Sequence, residues 1–195
     1  MSSVTPTVRE RVAAARNAAK QMGTVDGLQR AAALRAIAGA LRAHAEAIHR
    51  ANERDLARAT ESSLAAPLVK RLRFDTAKLE QAIVGVESVA GLPDPVGSEL
   101  LRRELDTGLV VTKQTSPIGV VAMIFESRPD ALVQIASLAL KSGNAIVLKG
   151  GSEALESNRT LADIIATAGT EAGIPAGWLQ LIETRSDVTE LLALD

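Results

Sequence analysis

"IGVVAMIFESRPDALVQIASLALKSGNAIVLKGGSEA", residues 118–154, decides the fold. Its first eight residues are apolar at odd and even positions alike, so a strand here is expected to bury both faces, as a central parallel strand between helical layers does. A helix follows in "PDALVQIASLALKSG", with Pro129 at its first position and Gly143 just past its end. "NAIVLKG", 144–150, reads as a second strand of the same kind, and a strand, a crossover helix and a strand form the unit of a parallel sheet.

The pattern continues downstream. "SEALESNRTLADIIATAGTEAG" predicts a second helix starting near Ser152 or Glu153, "GWLQLIE" a third short strand, and Ser186 a cap for the helix "SDVTELLAL". Three strands followed by a helix would leave an unpaired sheet edge, so the sheet is expected to continue beyond these 195 residues.

Upstream the periodicity is helical. Thr5 and Pro6 are positioned to start a helix that runs to Gly23, and Asp26 with Gln29 to start a much longer one. The long helix carries an apolar stripe through Leu28, Ala31, Leu34, Ile37, Leu41, Ala45, Ile48, Asn52 and Leu56. A short helix within 62–73 with a kink at Pro67, and another capped by Asp75 and ending near Gly91, complete this part. "LPDPVG", 92–97, then makes a rigid turn, and a turn at 106–108 introduces a β-rich run from Leu109 to Thr115 that could bridge or lie at an edge. The expected class is α/β: a helical segment over 1–98, a bridging β segment over 99–116, and the first part of an open, mostly parallel α/β domain over 117–195.

Composition excludes several functions. The formal net charge of −1 advertises no attraction to nucleic acid or to an anionic membrane surface. No apolar run reaches the roughly 20 residues of a membrane span, and the first twenty residues lack a compact secretory apolar region, so a cytoplasmic protein is expected. There is no cysteine, which removes disulfides, thiolate metal sites and thiol nucleophiles from this chain. His44 and His49 are five apart and do not share the helical face a metal pair needs, and no metal site is expected. Arg30, Arg35, Arg42, Arg50, Arg54 and Arg58 read as a solvated helix surface, and Trp178 as packing.

In open parallel sheets, ligands bind outside the carboxyl ends of the strands. Two polar clusters fall there: Glu126, Ser127 and Arg128 after the first strand, and Lys149, Gly150, Gly151, Ser152 and Glu153 after the second. The glycines remove bulk and permit unusual backbone angles, and the amides opening the next helix point at the ligand edge. Lys149 suits a ribose hydroxyl or a phosphate, Glu153 a ribose hydroxyl, and Arg128 a substrate phosphate with Ser127 as a further donor. The same spacing is also met by a plain turn, a solvated lysine, a helix cap and loop charges. No GxGxxG loop is present, so a Rossmann-type phosphate cradle is unsupported.

"LPDPVG", the stretch 116–158 and the "LLALD" ending together closely resemble the gamma-glutamyl phosphate reductase family of the aldehyde dehydrogenase superfamily. The resemblance implies an aldehyde-dehydrogenase-type sheet. It also implies NADPH-dependent reduction of L-glutamate 5-phosphate to L-glutamate 5-semialdehyde with release of phosphate, a step of proline biosynthesis. It places Lys149 and Glu153 along the adenosine ribose, with Lys149 near the 2'-phosphate, and brings the loop of Glu126, Ser127 and Arg128 to the catalytic cleft. It further implies a homo-oligomer formed through the bridging segment, and glutamate 5-kinase as a functional partner. The family's nucleophile is a cysteine lying after this segment, so the 195 residues are expected to be an N-terminal portion, inactive alone. A truncated relative that binds nucleotide or pairs with a reductase subunit is the alternative. An interaction module without nucleotide would follow if Lys149 and Glu153 pointed away from the open rim.

Overall fold

A computed structural model of the chain describes residues 6–126 and 128–194. Five helices come first: α1 (Val8–Met22), α2 (Gly27–Ala43), α3 (Ala45–Glu61), α4 (Ala66–Leu72) and α5 (Thr76–Gly91). An antiparallel hairpin follows, β1 (Glu99–Asp106) and β2 (Leu109–Gln114), and then the sheet region: β3 (Val120–Ile124), α6 (Pro129–Lys141), β4 (Ala145–Lys149), α7 (Leu155–Glu171), β5 (Leu179–Ile182) and α8 (Arg185–Leu192). The strands of the sheet run in the order β3-β4-β5, all parallel.

Helix starts follow their side-chain caps. Thr7 and Glu10 form a reciprocal capping box at α1, with Glu10 N–H donating to Thr7 Oγ1 at 3.2 Å and Thr7 N–H to the Glu10 carboxylate at 2.8 Å. Thr7 thus takes the place expected for Thr5, which lies outside the described residues, and Pro6 precedes the helix. At α8 the cap is Thr184 rather than Ser186, because Asp187 sits at the third position and closes a second box. Asp26 and Asp75 cap α2 and α5 as their spacing predicts.

The long second helix is two. It breaks at His44, whose φ of −102° and ψ of 18° leave the helical region, and the ring Nδ1 lies 2.8 Å from the Ala40 carbonyl. The halves share α7 and α5 and then diverge: α2 packs also on α6, whereas α3 packs also on α4 and the 3-10 turn before α7. Most of the stripe is buried as its spacing requires, but Leu28 is exposed at the helix start. Pro67 does not kink a helix; it stands in the first turn of α4, where its missing N–H costs nothing.

Helix α1 lies across β3, β4 and β5, while α6 and α7 lie side by side on the opposite face, with α2 and α5 stacked beyond them. This sandwich explains why β4 is buried along both faces, from Ala145 to Leu148. One apolar core runs from Val8 in α1 to Ile182 in β5, so the first helices and the sheet share it. Small residues permit the close fit: Ala15 and Ala18 of α1 are fully buried over the strands. Gly177, with φ of +87°, lets the chain turn into β5 where a side chain would press on Ala14. Trp178, immediately before β5, is fully buried over Gly169, as a packing residue should be.

β3 departs from expectation. It is an edge strand, as is β5, and Ala122, Met123 and Ile124 are exposed, so its doubly apolar sequence is not buried on both faces within these residues. β1 lies within the 99–116 segment expected as β, although its charged sequence "ELLRRELD" does not alternate cleanly and the explicit β-rich run begins only at Leu109. It pairs with β2 through the two-residue turn Thr107–Gly108, where Gly108 takes φ of +77°. Every position of both strands is exposed.

Candidate functional site at the carboxyl rim of the sheet

The parallel register fixes what shares the rim. Ile124 stands opposite Lys149 and Lys149 opposite Ile182, and Phe125 N–H extends the ladder to the Lys149 carbonyl at 3.0 Å. The loops leaving β3, β4 and β5 therefore emerge together. Between them lies a cleft of about 780 Å³, lined by Glu126, Lys149, Gly151, Ser152, Glu153 and Arg185 among others.

The glycine pair does not act through backbone angle. Gly151 has φ of −60° and ψ of 144°, and neither glycine takes positive φ, so any residue could adopt this path. What they supply is space. A methyl on Gly150 would overlap the Asn158 side chain and stand 3.0 Å from Phe125 Cζ, whereas one on Gly151 would meet the Glu153 carboxylate at 2.9 Å. Gly150 is buried beneath the cleft, and Gly151 forms its floor.

The amides that open α7 are not offered to a ligand. Asp55, fully buried on α3, accepts Glu156 N–H at 3.1 Å and Ser157 N–H at 2.8 Å, and is paired with Arg58. A carboxylate from another helix thus occupies the position where a phosphate would sit on a helix N-terminus. Neighbouring Asn52 completes the joint: its amide donates to the Leu72 carbonyl and to Ser157 Oγ, and its oxygen accepts from Phe74 N–H.

Charge at the rim is set by pairing. Arg159 holds Glu183 by two bonds of 2.7 and 2.6 Å, and the hydrogen bond to Glu183 raises the guanidinium further above its ordinary value. Glu126 pairs loosely with Arg71 at 3.5 Å, and Ser152 Oγ donates to Glu153 at 3.3 Å. Lys149 and Arg185 have no ion-pair partner among the described residues, and they share the cleft lining with the carboxylates of Glu126, Glu153 and Glu183. The sequence pattern missed Arg185, although the rule that strand ends share a rim applied equally to the end of β5.

The predicted residues separate into two places. Glu126, Lys149, Gly151, Ser152 and Glu153 meet in the cleft, with Gly150 under it. Arg128 lies beyond, paired with Asp130 at 2.6 Å, a hydrogen bond that raises its pKa, and it lines a different cavity. Ser127 lies outside the described residues. Arg30, expected on the solvated surface, is buried: it holds Asp94 of the "LPDPVG" turn by two bonds of 2.8 Å and also donates to the Val25 carbonyl. Lys141 ties the same region down by donating to the carbonyls of Ala90 and Leu92 at the end of α5. Among the described residues, no helix is long and apolar enough to cross a membrane.

The sequence model of the aldehyde dehydrogenase family matches residues 2–195. The chain is 56% identical over 163 residues to the gamma-glutamyl phosphate reductase of Pelotomaculum thermopropionicum, a match covering 84% of this chain and 38% of that protein. Among solved structures, the gamma-glutamyl phosphate reductase of Thermotoga maritima superposes with a TM-score of 0.92 at 34% identity, over 96% of this chain and 46% of that one. The Saccharomyces cerevisiae reductase superposes with a TM-score of 0.86 at 41% identity, over 93% of this chain and 47% of that one. The chain spans less than half the length of each of these relatives.

Proposed function

The chain belongs to the aldehyde dehydrogenase family, and from that premise we propose that it is the cofactor-binding part of an NADPH-dependent reductase. The reaction of the whole protein is reduction of L-glutamate 5-phosphate to L-glutamate 5-semialdehyde with release of phosphate, in the cytoplasmic synthesis of proline. Bound NADPH supplies the hydride. The 195 residues contain no cysteine, so a thiol nucleophile comes from elsewhere in the whole protein and this chain alone turns over no substrate. Glutamate 5-kinase, which makes such an acyl phosphate, is the natural functional partner.

One observation carries the cofactor assignment: the parallel register gathers Lys149, Gly151, Ser152 and Glu153 at one cleft, where Lys149 and Arg185 form no ion pair among the described residues. Lys149 and Arg185 can donate charge-assisted hydrogen bonds to a phosphate beside a ribose, which distinguishes NADPH from NADH. The fit is to the ribose end of the cofactor, because Asp55 has already taken the α7 amides that a Rossmann-type pyrophosphate would use. In this assignment Lys149 binds the 2'-phosphate, Glu153 orients the ribose hydroxyls, and Gly151 leaves room for the sugar. Calorimetric titration of the chain with NADP and NAD tests it. NADP is expected to bind more tightly, and Lys149→Ala to weaken NADP by ~10-fold while changing NAD little, the size of one charge-assisted contact. Equal affinities, or a Lys149→Ala chain that binds NADP as the parent does, would overturn it.

Self-association follows from the hairpin. Leu100, Leu101, Leu105, Leu109, Val110 and Val111 are all exposed on a two-stranded ribbon, and isolated ribbons of this kind are marginal in water. The homo-oligomer proposed for the whole protein covers this ribbon.

A further inference from the structure

A second cavity, of about 370 Å³, opens among α4, α5 and the start of α6. Four cations reach it from three helices or their flanks: Lys70 and Arg71 from α4, Lys78 from α5, and Arg128 from the residue before α6. Asp130 is the one carboxylate in its lining and pairs with Arg128, while Arg71 pairs with Glu126, so two positive charges, Lys70 and Lys78, have no ion pair among the described residues on a chain whose net charge is −1. The cluster is held in place. Lys78 Nζ donates to the carbonyls of Arg73 at 2.5 Å and Lys70 at 3.3 Å, which fixes its ammonium at the end of α4. No carboxylate lies within ion-pair distance of Lys70 or Lys78 among the described residues, and Arg71 has only exposed Glu126 at 3.5 Å. Gln81 and Gln134 add neutral donors.

Like charges drawn together in a concave site repel one another, and an anion relieves that repulsion. We infer that this cavity binds the phosphate group of a small phosphorylated molecule, with Lys70, Lys78 and Arg128 as its ionic ligands and Arg71 at its mouth. Its position is informative. Glu126 lines the rim cleft and pairs with Arg71, so the loop leaving β3 separates the two sites, and one molecule in each would be presented across that loop. Identification of the occupant as the acyl phosphate substrate rests on the reductase reading above; the affinity for phosphate does not. A 2'-phosphate of the cofactor has the same chemistry and is the competing source.

The test is an amide chemical-shift titration of the chain with inorganic phosphate, acetyl phosphate and NADP in separate arms. Phosphate and acetyl phosphate are expected to shift Lys70, Arg71, Lys78, Arg128 and Asp130 saturably, with affinities on the order of millimolar, and NADP to shift Lys149, Glu153 and Arg185 instead. Lys70→Ala and Arg128→Ala, both exposed and both checked for unchanged spectra elsewhere, should each weaken phosphate at least ~5-fold. Absence of saturable phosphate shifts in the cavity, or unchanged affinity in both variants, overturns the phosphate site. Shifts in the cavity with NADP alone assign it to the cofactor and overturn the substrate assignment. NADP failing at Lys149 while phosphate still binds the cavity would count against the rim assignment only.

Discussion

Gly150 and Gly151 stand side by side and are confined by different atoms. Alanine at 150 must displace Asn158, which is buried, and Phe125, so Gly150→Ala should cost roughly 1–3 kcal/mol of overpacking. Alanine at 151 meets first the end of the Glu153 side chain rather than a packed core group, so Gly151→Ala should cost less than Gly150→Ala. Urea unfolding followed by the fluorescence of Trp178, the single tryptophan, separates them. The sequence pointed to both glycines, but spacing alone cannot tell a glycine needed for backbone angle from one needed for room. Lys149 was legible because it ends an apolar run. Arg30 was not, because its partner Asp94 lies 64 residues away in a turn and burial of a charge depends on that partner.

At the scale of elements, two joints tie the first helices and their turn to α6 and α7. Asp55→Ala would leave the Glu156 and Ser157 amides unsatisfied and Arg58 unpaired, a loss of roughly 2–3 kcal/mol in chemical unfolding. At the other joint, burial pushes the Asp94 carboxyl up, but the Val96 N–H, the Arg30 guanidinium and the charge of Lys141 outweigh it and hold the pKa below its ordinary value. The folded state therefore binds fewer protons than the unfolded chain in that range. Its stabilisation is complete above the ordinary carboxylate value of about 3.9 and is lost as the pH falls through the lowered one. Asp94→Asn should thus lower the urea midpoint by a constant amount above about pH 5, and the gap to the parent should narrow below about pH 4. A gap that widened on acidification would contradict the pairing. The apolar stripes of α1, α5, α6 and α7 and the continuous apolar runs of the three sheet strands made these elements legible. Periodicity missed the break at His44, where the stripe continues unbroken while the second half turns away from α6 toward α4. It gives no run of its own for β1, whose exposed residues have no buried face and which the sequence places only within the 99–116 β segment.

For the whole molecule, the apolar β1–β2 ribbon and the exposed residues of β3 show surface that these residues do not cover themselves. Sedimentation should find the chain self-associating, and Leu101→Glu with Val111→Glu should shift it to monomer with the far-ultraviolet circular dichroism unchanged. A monomeric parent would remove the ribbon as an interface. That the chain forms a parallel sheet with a polar rim was readable from residues 118–154. That β3 sits at an edge was not, since an apolar strand looks the same whether its cover lies within the chain or outside it.

The most direct test of the cofactor rim is hydrogen–deuterium exchange with and without NADP. Slowed exchange at the loops following β3, β4 and β5, around Phe125 to Glu126, Lys149 to Glu153 and Glu183 to Arg185, is the predicted result. NADP that binds and leaves exchange at Lys149 to Glu153 unchanged, or slows it only at the opposite end of the sheet, would contradict it.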